Sequence, residues 1–297
     1  MADALVFGGS NGLVSMLADG LANALRVPER YQHAPNEVDR PGIAICTDAG
    51  SFVAGGPMLI YADDEKPGDG LTDSNRASAL GQLAEEVAAG RCVAVLASKA
   101  EAKRWLDHLA EAGLARDRPL KRMMICGEPG TGKTTLAAKL AGPLGLPVAS
   151  ADDLIAGQHA SLENDERGRA APLEDVLARH IWLAESAQWR SAYRIASVTD
   201  CIIYLEHSLE RVAQQKIAPG DRPLTWKEKA AISAVEHVYP KANERRIHTK
   251  LSEIAHLAPT FEIRNDAELE SVTAGFLRGA GRRSSTPPPA DGPPATA

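Results

Sequence analysis

Lys121-Arg-Met-Met-Ile-Cys-Gly127-Glu128-Pro129-Gly130-Thr131-Gly132-Lys133-Thr134-Thr135 is the stretch that decides the fold of this chain. Lys121–Cys126 is apolar at its centre and reads as a buried strand. The segment from Gly127 to Thr135 contains the pattern G-x-x-x-x-G-K-[ST] in full, at residues 127–134. Glycines at 127, 130 and 132 allow the backbone to curl so that several N–H groups converge on one set of phosphate oxygens. A helix opening at Lys133 adds its positive N-terminal end. Lys133 would then reach β- and γ-phosphates, and the Thr134 hydroxyl would ligate Mg²⁺. The segment is a P-loop, and it predicts binding of ATP or GTP with magnesium.

Working outward, the spacing predicts a helix over 133–142 and a second strand at Leu146–Ser150 (LPVAS). A polar stretch, 157–170, reads as a loop, and helical spacing returns at 173–180. CIIYLE (201–206) is a buried strand. Helices are expected near 208–217, 226–237 and 243–257, with a last strand at FEIR (261–264). Toward the N-terminus, strands are expected at 4–7, 43–46, 58–61 and 92–97, and helices at 12–25, 76–89 and 99–112. Segments 28–42 and 62–75 read as loops. Strands alternating with helices imply parallel βαβ units. The expected class is α/β, with a smaller α/β domain at 1–118, a P-loop domain at 119–279 and a disordered proline-rich tail at 280–297. No internal repeat is visible.

Composition fits a globular chain, at 44% hydrophobic and 24% charged residues in 297, with formal net charge -6. That charge argues against a general polyanion binder. It is unevenly spread: residues 190–250 hold 11 bases against 7 acids, marking the region where an anionic substrate would be handled. Cys46, Cys92, Cys126 and Cys201 form no C-x-x-C pair, so buried reduced thiols are expected rather than a zinc or redox site. The histidines show no metal-ligand spacing. No stretch approaches a membrane span, and MADALVFGGSNG lacks a basic leader. A cytoplasmic protein is expected.

Gly8-Gly-Ser-Asn-Gly12 follows a short strand and reads as a tight strand-to-helix turn, with a second phosphate site as the alternative. Asp152 and Asp153 follow the second strand, whose end faces the P-loop crevice in such a sheet. Either could accept a proton from an attacking hydroxyl, or cap the next helix. No Asp-Glu pair follows an apolar strand, as an ATPase that polarises water would need.

LPVASADDLI resembles the second strand of shikimate- and gluconate-type kinases. IWLAES and RIASVTDCIIYLEHSLERV resemble adenylate-kinase-like P-loop kinases of the topology-modulation type, as does the closing FEIRNDAELESVTAGFL. The resemblance spans about 121–277 and is specific at the P-loop. It departs from the family pattern at Ser186, where Gly is expected. Glu185 therefore stays open between a magnesium-shell carboxylate and a solvated charge on a helix over 173–190. The resemblance implies a kinase that uses ATP and Mg²⁺, with Lys133 and an aspartate in the chemistry.

Cations over the transferring phosphoryl group would come from among Arg211, Arg222, Arg245 and Arg246. Arg222, in Pro-Gly-Asp-Arg-Pro, is favoured as a lid residue. Trp182, Trp189 and Trp226 read as core or rim, with Trp226 the candidate to stack on a base. The expected acceptor is a hydroxyl on a nucleoside, a nucleotide or a hydroxymethylated base. Phage kinases that phosphorylate 5-hydroxymethyluracil in DNA have a similar build, and DNA would then be the substrate. The alternatives are a partner-coupled ATPase and a toxin-like sugar-nucleotide kinase.

Overall fold

The computed structural model describes residues 4–7, 11–25, 30–32, 43–46, 58–62, 73–96, 98–112, 119–127, 131–151, 177–178, 180–186, 189–206, 225–227 and 249–285. The first half contains β1 (Ala4–Phe7), α1 (Asn11–Leu25), β2 (Arg30–Gln32), β3 (Ile43–Cys46), β4 (Met58–Ala62), α2 (Asp73–Ala89), β5 (Cys92–Leu96) and α3 (Lys99–Ala112). The second contains β6 (Arg122–Gly127), α4 (Lys133–Leu144), β7 (Val148–Ser150), β8 (Trp182–Ser186), α5 (Trp189–Ile195), β9 (Cys201–Leu205), β10 (Thr260–Ile263) and α6 (Asp266–Ser285). A helical segment at 249–254 precedes β10.

Two five-stranded sheets result, ordered β2-β3-β1-β4-β5 and β10-β9-β6-β8-β7. Every pairing in both is parallel. The expected α/β class therefore holds, and it follows from apolar strands too short to be helices alternating with amphipathic segments. In the second sheet β6 is central, and the strand order reverses beside it. Such reversal opens a crevice beyond the strands' carboxyl ends.

β6 shows why both faces of such a sheet are covered. Met123 and Ile125 enter one core cluster, and Met124 and Cys126 enter another, with all four fully buried. The first cluster is common to both halves of the chain. It joins Leu80, Leu83 and Val87 of α2 to Leu136 and Leu140 of α4 and to Phe261 and Phe276, whose rings meet edge to face at 5.8 Å.

Helices α2 and α6 cross at close range. A Cβ on Gly275 would run into the Gly81 carbonyl, and one on Gly279 into that of Glu85. Arg278 Nε donates to Glu85 at 2.7 Å and Arg282 Nη1 to Glu86 at 3.0 Å, and Arg282 also pairs with Glu85.

Three expectations change. Residues 30–32, read as loop, form edge strand β2, ordered by pairing with β3. The helix considered over 173–190 does not form: Trp182–Ser186 is a strand between β6 and β7, because its apolar run fills a slot in the sheet. The tail expected to be disordered from residue 280 is helical to Ser285. Composition misled there, since Gly275 and Gly279 permit close helix contact and Arg278 and Arg282 fix it. Residues 286–297 and the linker residues 113–118 lie outside the described residues. Among the described residues, no helix is long and apolar enough to cross a membrane.

Candidate phosphate and metal site

The loop between β6 and α4 is shaped by backbone conformations that side chains resist. Gly127 has φ 149°, and a Cβ there would press on the Leu205 carbonyl at 2.6 Å. Gly132 takes the left-handed conformation (φ 87°, ψ 16°) immediately before α4 and gives it no side-chain cap. The first turn of α4 also carries no acid. Neither a side-chain cap nor an acid therefore competes with an anion for its positive end. Thr131 is buried, while Thr134 and Thr135 are exposed. Glu128, Pro129 and Gly130 lie outside the described residues.

Lys133 is the first residue of α4 and is 9% exposed. Its ammonium stands near the end of β6, where it pulls against the burial that raises the Cys126 thiol to about 12. Burial dominates, so Cys126 stays protonated and is no nucleophile. Burial likewise raises the Cys201 thiol. Both are free and buried, as expected. Cys46 and Cys92 carry no side-chain description.

Thr134 Oγ1 donates to Glu185 Oε2 at 2.8 Å. Strand register explains the meeting. β8 pairs directly with β6, with Glu185 level with Ile125, and Ser150 of β7 lies opposite Glu185 on its other side. Glu185 thus stands at the carboxyl edge beside the P-loop, and the alternative of a solvated helix charge falls. The signal in the sequence was an apolar run ending in Glu. Its spacing was ambiguous between strand and helix.

Thr134 and Glu185 offer hard oxygens. Mg²⁺ is bound through one or two such groups plus water and substrate phosphates, and does not need a cage of protein ligands. The pair fits that demand. Among the described residues no group of three or more His, Cys, Asp or Glu could hold a metal ion.

Asp200 proves to be an anchor at the opposite end of the sheet. Its carboxylate accepts the backbone N–H groups of Lys121 and Arg122 at 3.0 and 2.9 Å, and pairs with the Arg122 guanidinium at 2.9 Å. It locks the start of β9 to the start of β6. Sequence reasoning missed this clamp because Arg122 and Asp200 stand 78 positions apart and no local pattern pairs them.

Asp152, Asp153, Arg211, Arg222, Arg245 and Arg246 lie outside the described residues. Trp182 is core, as expected. Trp226 is 75% exposed, so it is not core, and Lys227 Nζ lies 5.8 Å from its ring centroid.

No protein-family profile matches the chain, and no curated protein matches it. Among solved structures, the chain is similar to a sugar kinase from a Janibacter species at 14% identity and a TM-score of 0.28, covering 56% of this chain and 95% of that one. It is also similar to shikimate kinase from Bacteroides thetaiotaomicron at 16% identity and a TM-score of 0.29, covering 53% and 94%.

Proposed function

We propose that the second half is a phosphotransferase that moves the γ-phosphoryl group of ATP, with Mg²⁺, to a hydroxyl acceptor. The observation that carries this reading is the Thr134–Glu185 hydrogen bond beside the buried Lys133. The Thr134 hydroxyl donates a hydrogen bond to Glu185, which leaves its oxygen lone pairs for a cation. The Glu185 carboxylate adds negative charge where that cation would sit. When bound, Mg²⁺ neutralises charge on the terminal phosphates. Lys133 and the α4 N-terminus hold the same phosphates in place, and such positioning and electrostatics supply most of the catalysis in phosphoryl transfer.

The second half of the sequence has no Asp-Glu pair after an apolar strand to polarise an attacking water, which favours transfer to an acceptor over partner-coupled hydrolysis. In this reading Asp152 or Asp153 takes the acceptor's proton, and Arg222 covers the transferring group. The exposed Trp226 with its neighbouring lysine supports an acceptor that carries a base, because bases stack on such surfaces. A nucleoside, a nucleotide or a hydroxymethylated base in DNA meets that description.

The test is incubation of the full chain with γ-labelled ATP and Mg²⁺ alongside nucleosides, nucleotides, sugars and base-modified DNA. Label on one acceptor class is expected, with loss of roughly 10²-fold or more in Lys133→Ala. Phosphate release alone, at the same rate with and without every acceptor, would sink the reading.

A further inference from the structure

The two sheets have one topology. Numbered within its own half, each runs second-third-first-fourth-fifth, with all strands parallel. In each half a helix follows the central strand, another precedes the fifth strand, and another follows it. The helices after the central strands also share a burial phase. Leu13, Val14, Leu17 and Leu21 of α1 correspond to Leu136, Ala137, Leu140 and Leu144 of α4 at a constant offset of 123 residues. That offset sets Ser10 and Asn11 where the second half has Lys133 and Thr134. The strand-to-helix connection is shorter as well: residues 8–10 in the first half, 128–132 in the second.

The contacts between halves are reciprocal. The helix before the fifth strand of the first half, α2, packs on the helix after the fifth strand of the second, α6. Conversely, α3 meets segment 249–254. Arg104 Nη2 donates to the Ser252 carbonyl at 2.7 Å, and just beyond that segment the His108 and His256 rings approach to 5.6 Å. The edge strands β5 and β10 lie side by side without joining into one sheet. Exchange of equivalent contacts in both directions is the signature of an isologous interface.

We propose that residues 4–112 are a second copy of the P-loop fold that lacks the phosphate cradle. It is the built-in partner of the catalytic half across a dimer-like interface, and each chain binds a single nucleotide, at Lys133. The single site rests on the phosphotransferase reading; the interface does not.

Two measurements on the full chain test this. The first is calorimetric titration with Mg²⁺ and a non-hydrolysable ATP analogue. One site is expected in the wild type, with affinity at least tenfold weaker in Lys133→Ala. Two sites, or one site of unchanged affinity in Lys133→Ala, overturns the assignment of the first half as cradle-less. No binding to the wild type instead overturns the single site together with the phosphotransferase reading, and leaves the interface to the second measurement. That is hydrogen exchange in Gly275→Leu, which wedges α6 off α2, with the milder Gly279→Ala should the first fail to fold. Faster exchange is expected in α3 and 249–254 together with α2 and α6, because an isologous interface opens as a unit. Acceleration confined to α2 and α6 overturns the dimer-like interface.

Discussion

Replacing Glu185 by Gln isolates charge from shape. The glutamine amide oxygen can still accept the Thr134 hydroxyl, so the 2.8 Å contact persists while the negative charge goes. Groups that support a metal ligand typically contribute about 10- to 100-fold in metal affinity, which is about 1.4 to 2.7 kcal/mol. Coulomb's law gives the same order: a unit charge about 4 Å from a divalent cation interacts by about 2 kcal/mol in water and about 8 at an effective dielectric of about 20. Glu185 is only half-buried, so a value toward the lower limit is expected. The assay is calorimetric binding of the ATP analogue at a series of Mg²⁺ concentrations, which needs no acceptor. In Glu185→Gln the Mg²⁺ dependence should shift about 10- to 100-fold higher, while binding in excess chelator should not weaken. Thr134→Val should shift it in the same direction, and the double variant should lose less than the sum of the two, since the groups act as a pair. A Mg²⁺ dependence in Glu185→Gln that superposes on the wild type would refute the magnesium-shell role.

Four further outcomes are expected. Asp152→Asn and Asp153→Asn keep any helix cap, since Asn caps as well as Asp; a base role for one predicts a loss of about 10²- to 10⁴-fold in turnover with ATP affinity unchanged. Asp152 is expected to be the more sensitive, and near-normal rates in both would remove the base from the mechanism. Arg282→Ala removes pairs to Glu85 and Glu86 on α2; the arginine is half-exposed, so about 0.5 to 1 kcal/mol is expected, read as a small drop in Tm. Truncation before Gly281 should lower Tm by at least as much, whereas truncation after Ser285 should leave it unchanged. His256 is held below its ordinary 6.5 by burial and by its neighbours His108 and Arg104. The unfolded chain therefore takes up a proton first, and the stability contributed by neutral His256 is complete above about 6.5 and is lost as pH falls below it. Denaturant unfolding at pH 7.5 and 5.5 should show a smaller loss in His256→Gln than in the wild type; equal losses would remove His256 as the source.

The fold of the second half was legible because its strands are short apolar runs and its one strong motif carries its own context. Residues 127–135 announced both the preceding strand and the following helix, and both formed. Glu185 was less legible, since the five residues Trp182–Ser186 suit a strand or part of a helix until a neighbouring strand claims them. The end of α6 misread for a related reason. Gly275, Gly279 and Gly281 weaken a helix by propensity, yet the first two serve the α2 crossing, a contact with residues almost 200 positions earlier. The duplicated topology was invisible because strand order is not a property of any local window. The two halves share burial phase in one helix and share no motif.

The same geometry connects the first half to the phosphate loop through packing alone. The apolar face of α6, with Val272, Phe276 and Ala280, is buried in the cluster that also holds Leu80, Leu83 and Val87 of α2. Strand β10, at the edge nearest the first half, pairs with β9 through four registered positions, and Glu206 N donates to the Ile263 carbonyl at 2.8 Å just past the end of β9. Strand β9 then presents the Leu205 carbonyl so close to Gly127 that no side chain fits between them. The place where the P-loop leaves its strand is therefore fixed by β9, and β9 is fixed on one side by β10. A second half without the first would expose Phe276 and the β10 edge to water. Closely packed interiors transmit such a change to their neighbours, and here the next neighbours in line are Leu205 and Gly127.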